Sequence, residues 1–250
     1  MFKLIKYEFK KQFFSKLVIV AVLALIEVFF LIGIGLNKDG IVANSMGVLF
    51  LFTFGAFFYL AFEAIITFNT DLKQKQSYML FLTPNTTYSI VGAKVFYAAI
   101  QIVLAGVAFA AIYAVNGGIL VAKFSSIAQI KELILNMLSQ LYNIEIKYSY
   151  IVLFILVMIM SWLNTVTVAF FSITLSTTFL ANKRFKGLVS FVIFLFINFI
   201  IQFITDKTLK FVDINENLTL LLVLQVLYLV CFTVITYVGT AWMLDKKVSV

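Results

Sequence analysis

The amino-acid sequence predicts an all-α polytopic membrane protein with six transmembrane helices. Three observations predict it. The 250 residues are 63% hydrophobic and 12% charged, with a mean hydropathy of +1.09, whereas soluble domains carry about a quarter charged residues. Six apolar runs reach the roughly 20 residues that cross a hydrocarbon core of about 30 Å. The basic residues fall unevenly between the segments that join those runs, in the sense of the positive-inside rule.

The runs are Leu17–Leu36, Met46–Phe68, Val95–Val115, Tyr150–Leu180, Leu188–Thr205 and Leu218–Trp242. The first is 20 residues long with no A-x-A cleavage site after it, so it is a span rather than a signal peptide. The fourth is too long for a straight perpendicular crossing and must tilt, break or run out of the bilayer. The fifth is short. An even number of spans puts both termini on one side. With the termini inside, the inner segments carry 13 of the 19 basic residues but only Glu8, Asp71 and Asp245 of the acids; the outer segments carry six of each sign. The net charge of +8 is therefore a topology and anionic-lipid signal, and no nucleic-acid partner is expected.

Composition excludes several chemistries. There is no His and a single Cys, Cys231. That removes Ser–His and Cys–His nucleophile pairs, HExxH sites, His-ligated metals and an intramolecular disulfide. No GxxxxGK[ST] phosphate loop occurs, so ATP hydrolysis within this chain is not expected. No catalytic, cofactor or metal site is expected in it. The whole chain, 1–250, reads as one transmembrane domain without a linker or repeat.

Three segments outside the spans carry pattern. On a helical wheel over residues 2–14, Phe2, Ile5, Phe9 and Phe13 share one stripe, and Lys3, Glu8, Lys10 and Lys11 lie away from it. That is the signature of a helix lying in a membrane interface, with Phe in the acyl boundary and Lys toward headgroups; membrane lipid is thus an expected partner. Residues 69–94 form the largest inner connection and hold Pro84, the one Pro of the chain. The stretch Leu72–Leu82 suits a short helix that Pro84 would stop. Connections longer than about 12 residues commonly carry a function. Residues 116–149 are the largest outer segment, where a Ser126–Gln129 capping box opens a helical pattern of Ile127, Ile130, Ile134, Leu138 and Leu141.

Polar groups inside the spans are the remaining candidates, because they are expensive there. Glu27 lies midway along the first span; it suits a substrate contact or proton relay, or equally an interhelical bond to Asn164, Asn198 or Gln202. Glu63 lies near the inner end of the second span, within reach of a Lys. Ser161, Asn164, Thr165, Ser172 and Ser176 fall within about 120° of the fourth, either as close-packing hydroxyls or as the lining of a path.

The opening MFKLIKYEFKKQFFSK resembles the start of type-2 permease subunits of ATP-binding-cassette exporters. The stretch LKQKQSYMLFLTPNTTYSIVGAKVF resembles their basic loop, Leu-rich turn, Pro and Gly-x-Lys entry into the third span, here Leu80, Leu82, Pro84, Ile90, Gly92 and Lys94. The resemblance covers the chain in layout and some 40 residues in motif. It implies a cytoplasmic coupling helix that docks on a separate ATPase, with Leu72, Lys73, Lys75, Leu80, Leu82 and Pro84 in the docking loop. It further implies a second permease chain, ATP and Mg on the partner ATPase, and a bacterial plasma membrane with both termini cytoplasmic. The connection at 206–217 is shorter than the family's usual element between the fifth and sixth spans, and the extra length lies at 116–149. That layout is similar to small bacterial exporters of the antibiotic-peptide or self-immunity kind, whose cargo would be an amphipathic peptide, a lipid-like compound or a hydrophobic drug. The alternative is a stand-alone carrier, or a substrate-binding membrane subunit, that uses Glu27.

Overall fold

The structure, a computed structural model, describes residues 1–73, 85–124, 148–179, 186–209 and 214–247. Among the described residues there are seven helices and no strand: α1 Phe2–Lys11, α2 Phe13–Gly35, α3 Asp39–Lys73, α4 Thr87–Phe124, α5 Tyr148–Phe179, α6 Lys186–Leu209 and α7 Ile214–Lys247. Helices α2 to α7 are each long and apolar enough to cross a membrane. The protein is an all-α, multi-pass membrane protein.

Four of the helices run well past the hydrocarbon thickness. At 1.5 Å per residue, α3, α4, α5 and α7, with 35, 38, 32 and 34 residues, reach about 48–57 Å. In α3, α4 and α7 the apolar runs mark only the middles, whereas the fourth run covers nearly all of α5. The long fourth span is one unbroken helix, and α6 has 24 residues rather than the short run its hydropathy suggests. The 206–217 connection shrinks accordingly, because α6 continues to Leu209 and α7 begins at Ile214. The outer-surface helix expected beyond Ser126 lies outside the described residues.

Local signals explain the element ends. Helix α2 closes with a Schellman arrangement: Lys38 N–H donates to the Gly33 carbonyl at 3.1 Å, and Asn37 N–H to that of Ile34 at 3.3 Å. Asn37 takes the left-handed conformation this needs (φ 53°), which Asn tolerates. The returning α3 passes so close to Gly33 that a Cβ there would stand 3.0 Å from the Val42 backbone nitrogen. Thr86 caps α4, accepting the Ser89 N–H on its hydroxyl at 3.3 Å.

The chain packs as two compact units, residues 1–102 and 103–250. In the first, α2 and α3 form an antiparallel hairpin, and the N-terminal part of α4 meets α3 through Lys94 with Asp71 and Gln101 with the Leu60 carbonyl. In the second, α5 packs along α7 and also against α6. Val157 packs with Leu222 and Leu229, Thr167 bonds Thr236, and Phe171 abuts Gly239. The contacts advance together along both helices, so α5 and α7 run parallel.

Candidate functional site

The most unusual feature of the first unit is a cluster of buried charge. Glu8 projects from α1, Asp71 from the last turn of α3, and Lys94 from the second turn of α4. The Lys94 ammonium donates to Glu8 Oε1 and to Asp71 Oδ2, both at 2.5 Å. The three side chains are only 4–5% exposed. Lys11, at 30% exposure, closes the far side of Asp71. Two carboxylates and two ammoniums thus neutralise one another, the condition under which buried charge is tolerated. Ile90 to Lys94 are buried on every side, so α4 enters the fold through this cluster.

Helix α1 meets the cluster because of its own sequence pattern. Its Phe stripe is not its packing face: Phe2 is 89% exposed and Phe13, just beyond it, 64%. Ile5 is half-buried. Glu8 and Gln12, about one-quarter turn around the wheel from the stripe, are 3% and 5% exposed. Phe9 lies at the boundary and meets Tyr97 of α4 edge-on, ring centroids 4.8 Å apart. The two helices α1 and α2 are interrupted at Gln12 (φ −103°, ψ 12°). Ser15 donates its hydroxyl to the Gln12 carbonyl at 2.9 Å and also to Glu63. Glu63 further pairs with Lys16, an ionic tie between α2 and α3.

The cluster brackets the candidate docking loop. Asp71 precedes it and Lys94 follows it. Leu72 is half-buried and Lys73 ends α3; Lys75, Leu80, Leu82 and Pro84 lie outside the described residues. Buried polar atoms line the same unit. Gln101 donates to the Leu60 carbonyl at 3.1 Å. The Tyr97 hydroxyl and the side-chain oxygens of Gln12 and Gln101 find no hydrogen-bond partner among the described residues.

The intramembrane candidates lie on several helices. Glu27 is half-buried on α2. Asn198 donates to the Phe194 carbonyl one turn back at 2.8 Å, and Gln202 to Asp206 at 3.2 Å. The polar set on α5 is not one surface. Asn164, Ser172 and Ser176 are buried, Ser161 is exposed, and Thr165 is half-buried with its hydroxyl on the Ser161 carbonyl at 2.9 Å. The wheel places them on one face, but α5 is surrounded only from Leu163 onward, where Thr167 and Thr174 are buried as well.

Among the described residues no group of three or more His, Cys, Asp or Glu could hold a metal ion. Sequence reasoning missed Glu8, Asp71, Lys11 and Lys94 as a site, since each is an ordinary flanking charge when topology is counted. The signal that could have found them is the placement of Glu8 off the Phe stripe, in a helix otherwise rich in Lys. No family model matches the chain, and no curated protein or solved structure matches it either.

Proposed function

We propose that this chain is the membrane-spanning permease subunit of an ATP-binding-cassette exporter, driven by a separate ATPase that binds ATP and Mg. The observation that carries the reading is the Glu8–Lys94–Asp71 cluster. It ties α1 to the two helices that flank residues 74–84, the segment whose sequence resembles a coupling loop. Displacement of that loop by a docked ATPase would be passed through buried charge to α1 and, beyond Gln12, to α2. A conformational equilibrium shifts only by differential contact with its two states, and a loop anchored on both sides by one ionic cluster provides a place for such contact.

The reading includes a second permease chain, both termini on the cytoplasmic side of a bacterial plasma membrane, and a cargo that is an amphipathic peptide, a lipid-like compound or a hydrophobic drug. Six apolar helices and the motif Leu80, Leu82, Pro84, Ile90, Gly92 and Lys94 support it. The test is co-purification in detergent with the ATPase encoded beside the chain. The native chain brings the ATPase down, and replacing Leu82 and Pro84 abolishes this while membrane insertion is retained. Absence of any ATPase, or binding that ignores the loop, overturns the reading in favour of a carrier built on Glu27.

A further inference from the structure

Three buried polar atoms of the first unit have no hydrogen-bond partner among the described residues: Gln12 Oε1, Tyr97 Oη and Gln101 Oε1. Their residues are 5%, 2% and 5% exposed. The contacts around them bring them to one junction. Followed in step along α1 and α4, Glu8 meets Lys94 and Phe9 meets Tyr97. The next buried residue after Glu8 is Gln12, and the next buried polar residue after Tyr97 is Gln101. Both glutamines are tied to the same turn of α3. Gln101 donates to the Leu60 carbonyl at 3.1 Å, and the Ser15 hydroxyl links the Gln12 carbonyl to Glu63, three residues beyond Leu60.

The three atoms cannot satisfy one another. The Gln101 Nε2 is spent on the Leu60 carbonyl, which leaves Oε1 as the free end of that amide. The Tyr97 phenol has a single O–H to give, so at least one of the two amide oxygens is left without a donor. A buried acceptor in that condition is unfavourable. The junction therefore calls for a small hydrogen-bond donor, and its charge says that the donor is neutral. The carboxylates of Glu8, Asp71 and Glu63 are already matched by the ammoniums of Lys94, Lys11 and Lys16, and a cation would add unbalanced buried charge. Water has the required valence: two hydrogens for the amide oxygens and a lone pair for the phenol O–H. Buried waters make about three such bonds to polar groups otherwise unsatisfied.

We infer that Gln12, Tyr97 and Gln101 hold one buried water molecule, which joins α4 to the interruption between α1 and α2. The inference is independent of the export reading.

The test is hydroxyl-radical footprinting by X-ray radiolysis of the full chain in detergent, with modification read residue by residue by mass spectrometry. Radicals born from a held water attack the side chain beside it even where bulk solvent does not reach. Tyr97 is modified in the native chain, whereas Phe30, an aromatic as deeply buried at 1% exposure, is not. The double variant Gln12→Leu/Gln101→Leu removes both acceptors, and Tyr97 modification falls to the Phe30 background. A native Tyr97 as silent as Phe30 overturns the inference. So does modification that persists undiminished in the double variant, which would mean entry of bulk solvent. Should the double variant fail to fold, a density map of the native chain fine enough to show ordered water decides. A peak within hydrogen-bond reach of the phenol and both amide oxygens is expected, and a dry junction overturns the inference.

Discussion

In residues 1–102 the polar contacts between helices include ion pairs, and in residues 103–250 the buried polar groups are mostly hydroxyls. Lys94 sits between Glu8 and Asp71, and Lys16 meets Glu63. Along α5 and α7, by contrast, Thr167 and Thr236 share a 3.0 Å bond. Neighbouring hydroxyls return to carbonyls of their own helix, as Ser172 does to Val168 at 2.7 Å and Thr240 to Thr236 at 2.7 Å. A hydroxyl satisfied within its own helix leaves that helix free to pack closely with little dependence on its neighbour. A buried charge has no such refuge and depends on a partner from another element. The first unit thus depends on ionic partners from other elements, whereas the hydroxyls of the second are satisfied largely within their own helices.

Substitutions can break that contrast. The largest effect is expected from Lys94→Met, which removes the ammonium that pairs with both buried carboxylates, Glu8 and Asp71. A loss of about 3–5 kcal/mol should appear in reversible detergent unfolding. Next is Gly239→Leu in the second unit. A Cβ at Gly239 already stands 2.8 Å from the Phe171 ring, so overpacking should cost about 1–3 kcal/mol by the same measurement. Gly55→Ala, in open space on α3, should instead stabilise its helix by up to about 1 kcal/mol. Thr236→Val is the smallest: one interhelical bond between hydroxyls that keep their own carbonyl partners, worth about 0.6 kcal/mol in membrane helices. A Thr236→Val loss as large as that of Lys94→Met would erase the distinction between the units.

Hydropathy located the six membrane helices because an apolar run is a direct record of lipid contact. It placed the ends of the second, third, fifth and sixth too early. Asn69, Thr70 and Asp71 continue α3 without being apolar, and a helix does not stop where lipid does. The Phe stripe of α1 was legible as a stripe, and the structure leaves Phe2 and Phe13 exposed as an interfacial face requires. Glu8 was legible as lying off that stripe, but a single wheel has no information about a neighbour 63 or 86 residues away in sequence. The α5 polar set shows the complementary limit. Periodicity groups Ser161 with Ser172 by angle, whereas burial depends on depth along the bundle.

Glu8, Asp71 and Lys94 form one network rather than three flanking charges. A double-mutant cycle on Glu8→Gln and Lys94→Met, read by unfolding free energy, tests this most directly. The account predicts that the double variant is more stable than the sum of the singles implies, by about 0.5–3 kcal/mol, since removing both charges restores neutrality with Asp71 and Lys11 still paired. Additivity within about 0.5 kcal/mol would contradict it.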